Sequence, residues 1–215
     1  WNDTGIQTIL TEDTTPPEIS QPEDKNVLLN SIENITWTIT ELNPGKYWVL
    51  RNGTEVVAPT DYVSGEEINI SIDTSELGVW NYTIIANDTS NNLASDTVNV
   101  TIFETEPPRY SNVSSNNTEV GQPTLLSAYW CDNVGLSGYI LATNNTGTWT
   151  NETWVAMTGT CNWSNATITL NSTPGLTIGW RIYANDTSNN WNDTGIQTIL
   201  TEDTTPPEIS QPEDK

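Results

Sequence analysis

Residues 1–25, WNDTGIQTILTEDTTPPEISQPEDK, recur letter for letter as residues 191–215. An identity of that length at one fixed offset does not arise by chance, so the fold must be repeatable end to end. Whatever residues 191 onward complete, residues 1 onward complete in the copy before. The expectation is one period of a tandem array plus a short overlap, cut from a longer polypeptide. The absence of an initiator Met and of a signal segment suits a mature or excised chain.

A second, diverged repeat lies inside the period. Pro-Pro pairs at 16–17, 107–108 and 206–207 each follow an acidic, Thr-bearing stretch and mark units of 91 and 99 residues. Late in each unit comes a Trp-led segment, WNYTIIANDTSNN at 80–92 and WRIYANDTSNN at 180–190. The expected division is 1–12 as the last strand of a preceding second domain, 13–105 as domain 1, 106–203 as domain 2, and 204–215 as the start of the next domain 1. Proline fixes φ and biases its predecessor toward extended structure, so Pro-Pro reads as a stiff, short junction in a rod.

Helical periodicity is absent, whereas period-2 alternation between turn signals recurs. Ile35, Trp37 and Ile39 share one parity, as do Ile68, Ile70 and Ile72, then Trp80, Tyr82 and Ile84, then Val98, Val100 and Ile102. Each set is the core face of a strand. Asn52-Gly53 between YWVLR and TEVV signals a type I′ hairpin, which needs φ > 0 at both positions. The second unit offers LLSAYW, SGYILAT, TWVAM, NATITL, WRIYA and GIQTIL. The fold class expected is all-β: tandem antiparallel sandwiches of immunoglobulin-like size, in a rod or fibre. Only 34% of residues are hydrophobic, but ten Trp and seven Tyr exclude a disordered chain.

Sixteen Asn-X-Ser/Thr sites stand where 26 Asn and 51 Ser plus Thr, placed at random, would give about 6. Asn34, Asn69, Asn81 and Asn99 lie on the parity opposite to their strand's apolar residues, and Asn165 and Asn171 do so beside Ala166, Ile168 and Leu170. Asn52, Asn87, Asn185 and Asn192 lie in or near turns, the other accessible class. Asn2, Asn112, Asn116, Asn144, Asn151 and Asn162 complete the set. Dense N-glycosylation is the reading; incidental sequons in an Asn- and Thr-rich β-protein are the alternative.

Cys131 ends one strand and Cys161 begins another. In an immunoglobulin-like sheet these are antiparallel neighbours, so a disulfide is expected, with two buried free thiols as the alternative. Catalytic chemistry is not expected. The chain has no histidine to act as general base, and adjacent acids such as Glu12-Asp13 and Glu66-Glu67 suit a solvated surface on a chain of net charge −22. That charge also excludes nucleic acid, whose phosphates need clustered Lys and Arg, and no apolar run spans a membrane. No cofactor is expected beyond covalent glycans. Calcium on Asp88, Asp186 and the acids before each Pro-Pro ranks below plain Asx-turns in NDTSNN. Trp37, Trp80 and Trp180 are assigned to the interior; Trp149, Trp154, Trp163 and Trp191 lie among polar residues, free to stack on sugars or to bury at a junction.

The stretch DTTPPEISQPEDKN…NITWTITELNPGKYWVLRNGTEVV…GVWNYTIIANDTSNNLASDTVNVTI resembles the tandem immunoglobulin-like repeats of large archaeal cell-surface glycoproteins, and the second unit resembles a sister repeat. The resemblance implies a β-sandwich array outside the cell, and such arrays serve as stalks, adhesins and wall components alike. The leading functional expectation is a structural, non-enzymatic filament or stalk whose partner is itself, through successive repeats and neighbouring fibres. The alternative is an adhesin, carbohydrate-binding or spacer array of a larger surface protein.

Overall fold

The computed structural model describes residues 12–209, which are all strand, turn and loop. Apart from Glu12, the segment 1–12 expected as a last strand lies outside the described residues, and so does Asn2. The chain divides into two compact units, Trp1–Glu104 and Thr105–Lys215.

In the first unit β1 (Glu18–Ile19), β3 (Asn34–Thr40) and β6 (Glu67–Ser71) form one antiparallel sheet with β3 in the middle. The second sheet runs β2 (Lys25–Leu28), β8 (Leu93–Phe103), β7 (Gly78–Asp88), β4 (Pro44–Arg51), β5 (Thr54–Asp61), with β2 parallel to β8 and the other pairs antiparallel. The two sheets enclose the alternating apolar residues: Ile35, Trp37, Ile39, Ile84, Val98 and Val100 are fully buried. Trp37 cannot bury its indole N–H unpaired without a desolvation penalty, and Nε1 donates to Asp96 Oδ2 at 2.7 Å. Asn52 and Gly53 adopt φ of 48° and 80° between paired Arg51 and Thr54, the hairpin their sequence requires.

The second unit repeats the plan. β10 (Pro123–Cys131) lies between β9 (Arg109–Ser115) and β14 (Cys161–Thr169) in one sheet. In the other, β11 (Leu136–Thr143) and β15 (Thr177–Asp186) pair centrally. The short β12 (Thr150–Asn151) and β13 (Val155–Ala156) flank β11, and β16 (Trp191–Asp193) and β17 (Gln197–Leu200) flank β15. The expected single strand TWVAM is thus only a two-residue bridge, because Trp154 leaves the sheet to lie over it. Trp130, in the position of Trp37, is fully buried, and its Nε1 donates to Ser164 Oγ, which donates in turn to Ala128 O. Both units are immunoglobulin-like antiparallel β-sandwiches.

The shared ANDTSNN segment aligns Tyr82 with Trp180, each five residues before its Asn. Tyr82 OH accepts the Asp73 N–H at 2.9 Å, tying the start of β7 to the corner before it. Trp180 is equally buried, but its Nε1 has no partner. Trp80, assigned to the interior with Trp37 and Trp180, is only half-buried: it packs against the first core from its end, with Nε1 donating to Glu76 O. Replacing Tyr82 by Phe removes the corner bond alone and should cost the first unit about 1 kcal/mol in urea unfolding, with an unchanged m-value.

Cys131 and Cys161 face each other across β10 and β14 and are joined as a disulfide. It closes a loop of 30 residues, whose lost chain entropy corresponds to about 3–4 kcal/mol. Reduction, or the double change to alanine, should lower the unfolding free energy of the second unit by that order and leave the first unit's transition in place.

Candidate functional surface: sequons, aromatic faces and acidic turns

Strand alternation decides where the asparagines stand. Asn34, Asn69 and Asn81 are exposed on the outer faces of β3, β6 and β7, and Asn165 is exposed on β14. Asn52, Asn112, Asn116 and Asn151 are exposed as well. Asn52 keeps its hairpin in shape with Oδ1 accepting from Asn81 N, and Asn116 Oδ1 accepts from Leu125 N; in both, Nδ2 stays free. Asn69 Oδ1 takes the Thr36 hydroxyl at 2.6 Å and also leaves Nδ2 free.

A second group uses the amide nitrogen in the fold. Asn81 Nδ2 donates to Asn99 Oδ1, and Asn99 Nδ2 to Asp24, a polar ladder across β7 and β8. Asn162 Nδ2 donates to Thr158 O, Asn171 to Asn145 O, and Asn192 to Pro108 O. Asn144, half-buried, accepts the Gly179 N–H through Oδ1. Asn87 is half-buried, its Oδ1 accepting from Lys46 N.

Asn185 departs from expectation: it is only 6% exposed, with Nδ2 on Asn189 Oδ1. Its nearness to the turn does not expose it, because residue 185 still belongs to β15. It stands opposite Gly138, on the face that the Trp154 ring covers.

That face is the main aromatic surface of the second unit. A Cβ on Gly138 would lie 2.3 Å from the Trp154 ring, and one on Gly179 would lie 2.9 Å from Trp149, so the two glycines are seats for the two indoles. The Arg181 guanidinium lies 4.6 Å from the Tyr183 ring centroid and 5.7 Å from that of Trp149. Both tryptophans still present nearly half their surface outward, 44% and 48%. On the opposite sheet Trp163 and Tyr129 pair across strands with centroids 5.2 Å apart.

The NDTSNN turns are closed by their aspartates. Asp88 Oδ1 accepts the N–H groups of Ser90 and Asn92, both at 2.8 Å, and Asp186 Oδ1 accepts that of Asn190. Burial pushes the Asp88 pKa up, but these bonds and the one from Asn92 Nδ2 outweigh it and hold the group below its usual 3.8. The carboxylate oxygens of Asp13, Glu41 and Asp88 come within 4.8 Å of one another, the one trio of described acids so placed. Asp13 and Glu41 also accept N–H bonds, from Thr15 and from Leu42 and Asn43 respectively.

Glu119 performs a different task. Its carboxylate accepts the Thr204 N–H and hydroxyl and the Thr205 hydroxyl, and residues 118–120 pair with Glu202. The bonds from Thr204, the larger influence, and from Thr205 hold the Glu119 pKa below its usual 4.5. A depressed folded-state pKa means the contribution is whole above the unfolded value and lost as pH falls through the folded one. The protection of the Glu202 and Thr204 backbone amides against exchange, relative to the intrinsic rate at each pH, should therefore hold at pH 5 and above and fall as the pH is taken below about 4.5. A Glu119→Gln chain should show fast exchange throughout.

No protein-family model matches the chain, and no curated protein sequence matches it. Solved structures do. The titin domains Z1Z2 in complex with telethonin are 14% identical, with 90% of this chain and 100% of that chain covered and a TM-score of 0.46. Fibronectin(III)-like modules of Clostridium thermocellum CbhA are 12% identical over 92% and 100%, at 0.36. The N-terminal Ig1-2 module of the Drosophila receptor protein tyrosine phosphatase DLAR is 15% identical over 87% and 100%, at 0.36. Similarity at these levels bears on neither activity nor partner. The fold and the surface define the class: an all-β chain of immunoglobulin-like sandwich modules, stapled in the second unit by one disulfide. Among the described residues no helix is long and apolar enough to cross a membrane.

Proposed function

We propose that this chain is a period of a structural, non-enzymatic, N-glycosylated tandem array forming an extracellular filament or stalk. The observation that carries the reading is the use made of the repeated segment. Residues 191–202 are integral to the second sandwich: β16 and β17 pair with β15, Ile199 lies in the core, and the Thr201 hydroxyl bonds Thr173 O and Leu176 O. The same letters head the chain at 1–12, so they are equipped to complete a second sandwich of a preceding copy.

The Asp-Thr-Thr that follows supports continuity. Thr15 N donates to Asp13 Oδ1 and Thr205 N to Asp203 Oδ1, both at 3.1 Å. The first copy is held by its own unit through Asn43 and Asn92, and the second by its own unit through Glu119. In an array each such segment has partners on both sides, which favours a stiff junction over a loose tether. The net charge of −22 keeps strand edges hydrated and opposes sheet-to-sheet association. An extracellular setting accords with the disulfide.

Glycopeptide mass spectrometry and electron microscopy of native material test this together. The expected result is occupancy led by Asn34, Asn52, Asn69, Asn112, Asn116, Asn151 and Asn165, with Asn185 bare, on continuous filaments with a two-module axial repeat. Short, non-assembling rods with bare asparagines would overturn the reading in favour of an adhesin or spacer array.

A further inference from the structure

Besides Tyr183 before the buried Asn185, three sequons of the second unit have an aromatic residue two positions before the asparagine: Tyr110 before Asn112, Trp149 before Asn151, and Trp163 before Asn165. In all three both partners are exposed. Two of the rings are not placed to meet what their asparagine carries. Asn112 sits at φ 51° where the β9 register slips, so it does not share the face of Tyr110. Trp149 is seated on Gly179 beside Arg181.

Trp163 and Asn165 differ, because the register from Pro123 to Cys131 runs without a break against Thr169 to Cys161. Two residues apart on a regular strand, their side chains leave the same face about 6.6 Å from one another. The strand between them is rigid. Ser164 is fully buried and bonded to Trp130 Nε1 and Ala128 O, while Asn165 O accepts the Tyr139 hydroxyl at 2.6 Å. Asn165 Nδ2 has no partner. Opposite Asn165 stands the small Ser127, its hydroxyl shared with Ser114, so nothing bulky crowds the asparagine from across the sheet. Tyr129 backs Trp163, leaving 43% of the tryptophan open. The pyranose of a sugar offers polarised C–H groups, the complement of the negative face of an aromatic ring.

We propose that Asn165 is a glycosylation site whose first pyranose packs against Trp163 backed by Tyr129, so that the glycan is an ordered part of the sandwich surface. This rests on the N-glycosylated reading above. A groove of about 180 Å³ lies on the other side of Asn165, between Tyr139, Glu152 and Val155, and is the competing place for the sugar.

The test uses the full glycosylated chain with Thr167→Val, which removes the sequon and keeps Asn165, alone and combined with Trp163→Thr. Site occupancy is read by mass spectrometry. With Trp163 present, Thr167→Val should lower the melting temperature of the second unit by about 4 °C. In the Trp163→Thr background the same change should have no effect. The ring protons of the innermost sugar at Asn165 should be shifted upfield by the indole and return to ordinary values in Trp163→Thr. An occupied Asn165 with unshifted sugar protons, or equal losses in both backgrounds, overturns the packing while leaving the glycoprotein reading intact. A bare Asn165 beside occupied Asn34 and Asn52 also overturns it, and asparagines bare throughout overturn both.

Discussion

Each unit is organised around one buried indole on the middle strand of its three-stranded sheet, Trp37 in β3 and Trp130 in β10. An indole buries the largest apolar area of any side chain but carries a donor that must be met. Asp96 meets it in one unit and Ser164 in the other. With only 34% hydrophobic residues, the chain has few apolar side chains to spare, so nearly every one on these strands must face its tryptophan. Strand alternation then puts polar residues on the outer faces, and the sequons are part of that consequence. The same constraint that builds the core thus decides which asparagines are open to modification.

The units differ in how they secure the rest. The first closes its corner with the Tyr82 hydroxyl, whereas the second places Trp180 there, with an unpaired N–H, and carries the Cys131–Cys161 bridge across the opposite sheet. The bridge sits where β10 and β14 end, next to the Tyr129–Trp163 pair, and restrains the edge that presents Asn165. The second unit also covers its outer β11–β15 face with Trp149 and Trp154, seated on Gly179 and Gly138.

Much of this is legible in the residues. The parity of Ile35, Trp37 and Ile39 and the Asn52-Gly53 hairpin follow from local rules of alternation and turn chemistry, and the opposition of Cys131 and Cys161 follows once the sheet is taken as immunoglobulin-like. The seating of Trp154 on Gly138 does not, because it joins residues on different strands through a Cβ that is missing. Asn185 is misread for the same reason: the turn that follows it is polar, whereas Gly138, over which the Trp154 ring lies, stands opposite it across the sheet. The place of Trp130 is not legible in LLSAYW, which mixes small and large residues, and its likeness to Trp37 appears only when β10 takes the middle position.

The repeated segment separates the two kinds of information most plainly. In both copies Asp-Thr-Thr makes the same Asx turn, Thr15 to Asp13 and Thr205 to Asp203, because that bond spans two residues and needs nothing else. The alternation, the hairpin, the sandwich class and the period were likewise determined by the sequence alone, since each depends on neighbours along the chain. Which groups hold the two identical turns was not. Asn43 and Asn92 bind the first copy, and Glu119 the second. Those partners are between 30 and 86 residues away, and only the packing of each sandwich brings them within a hydrogen bond's reach.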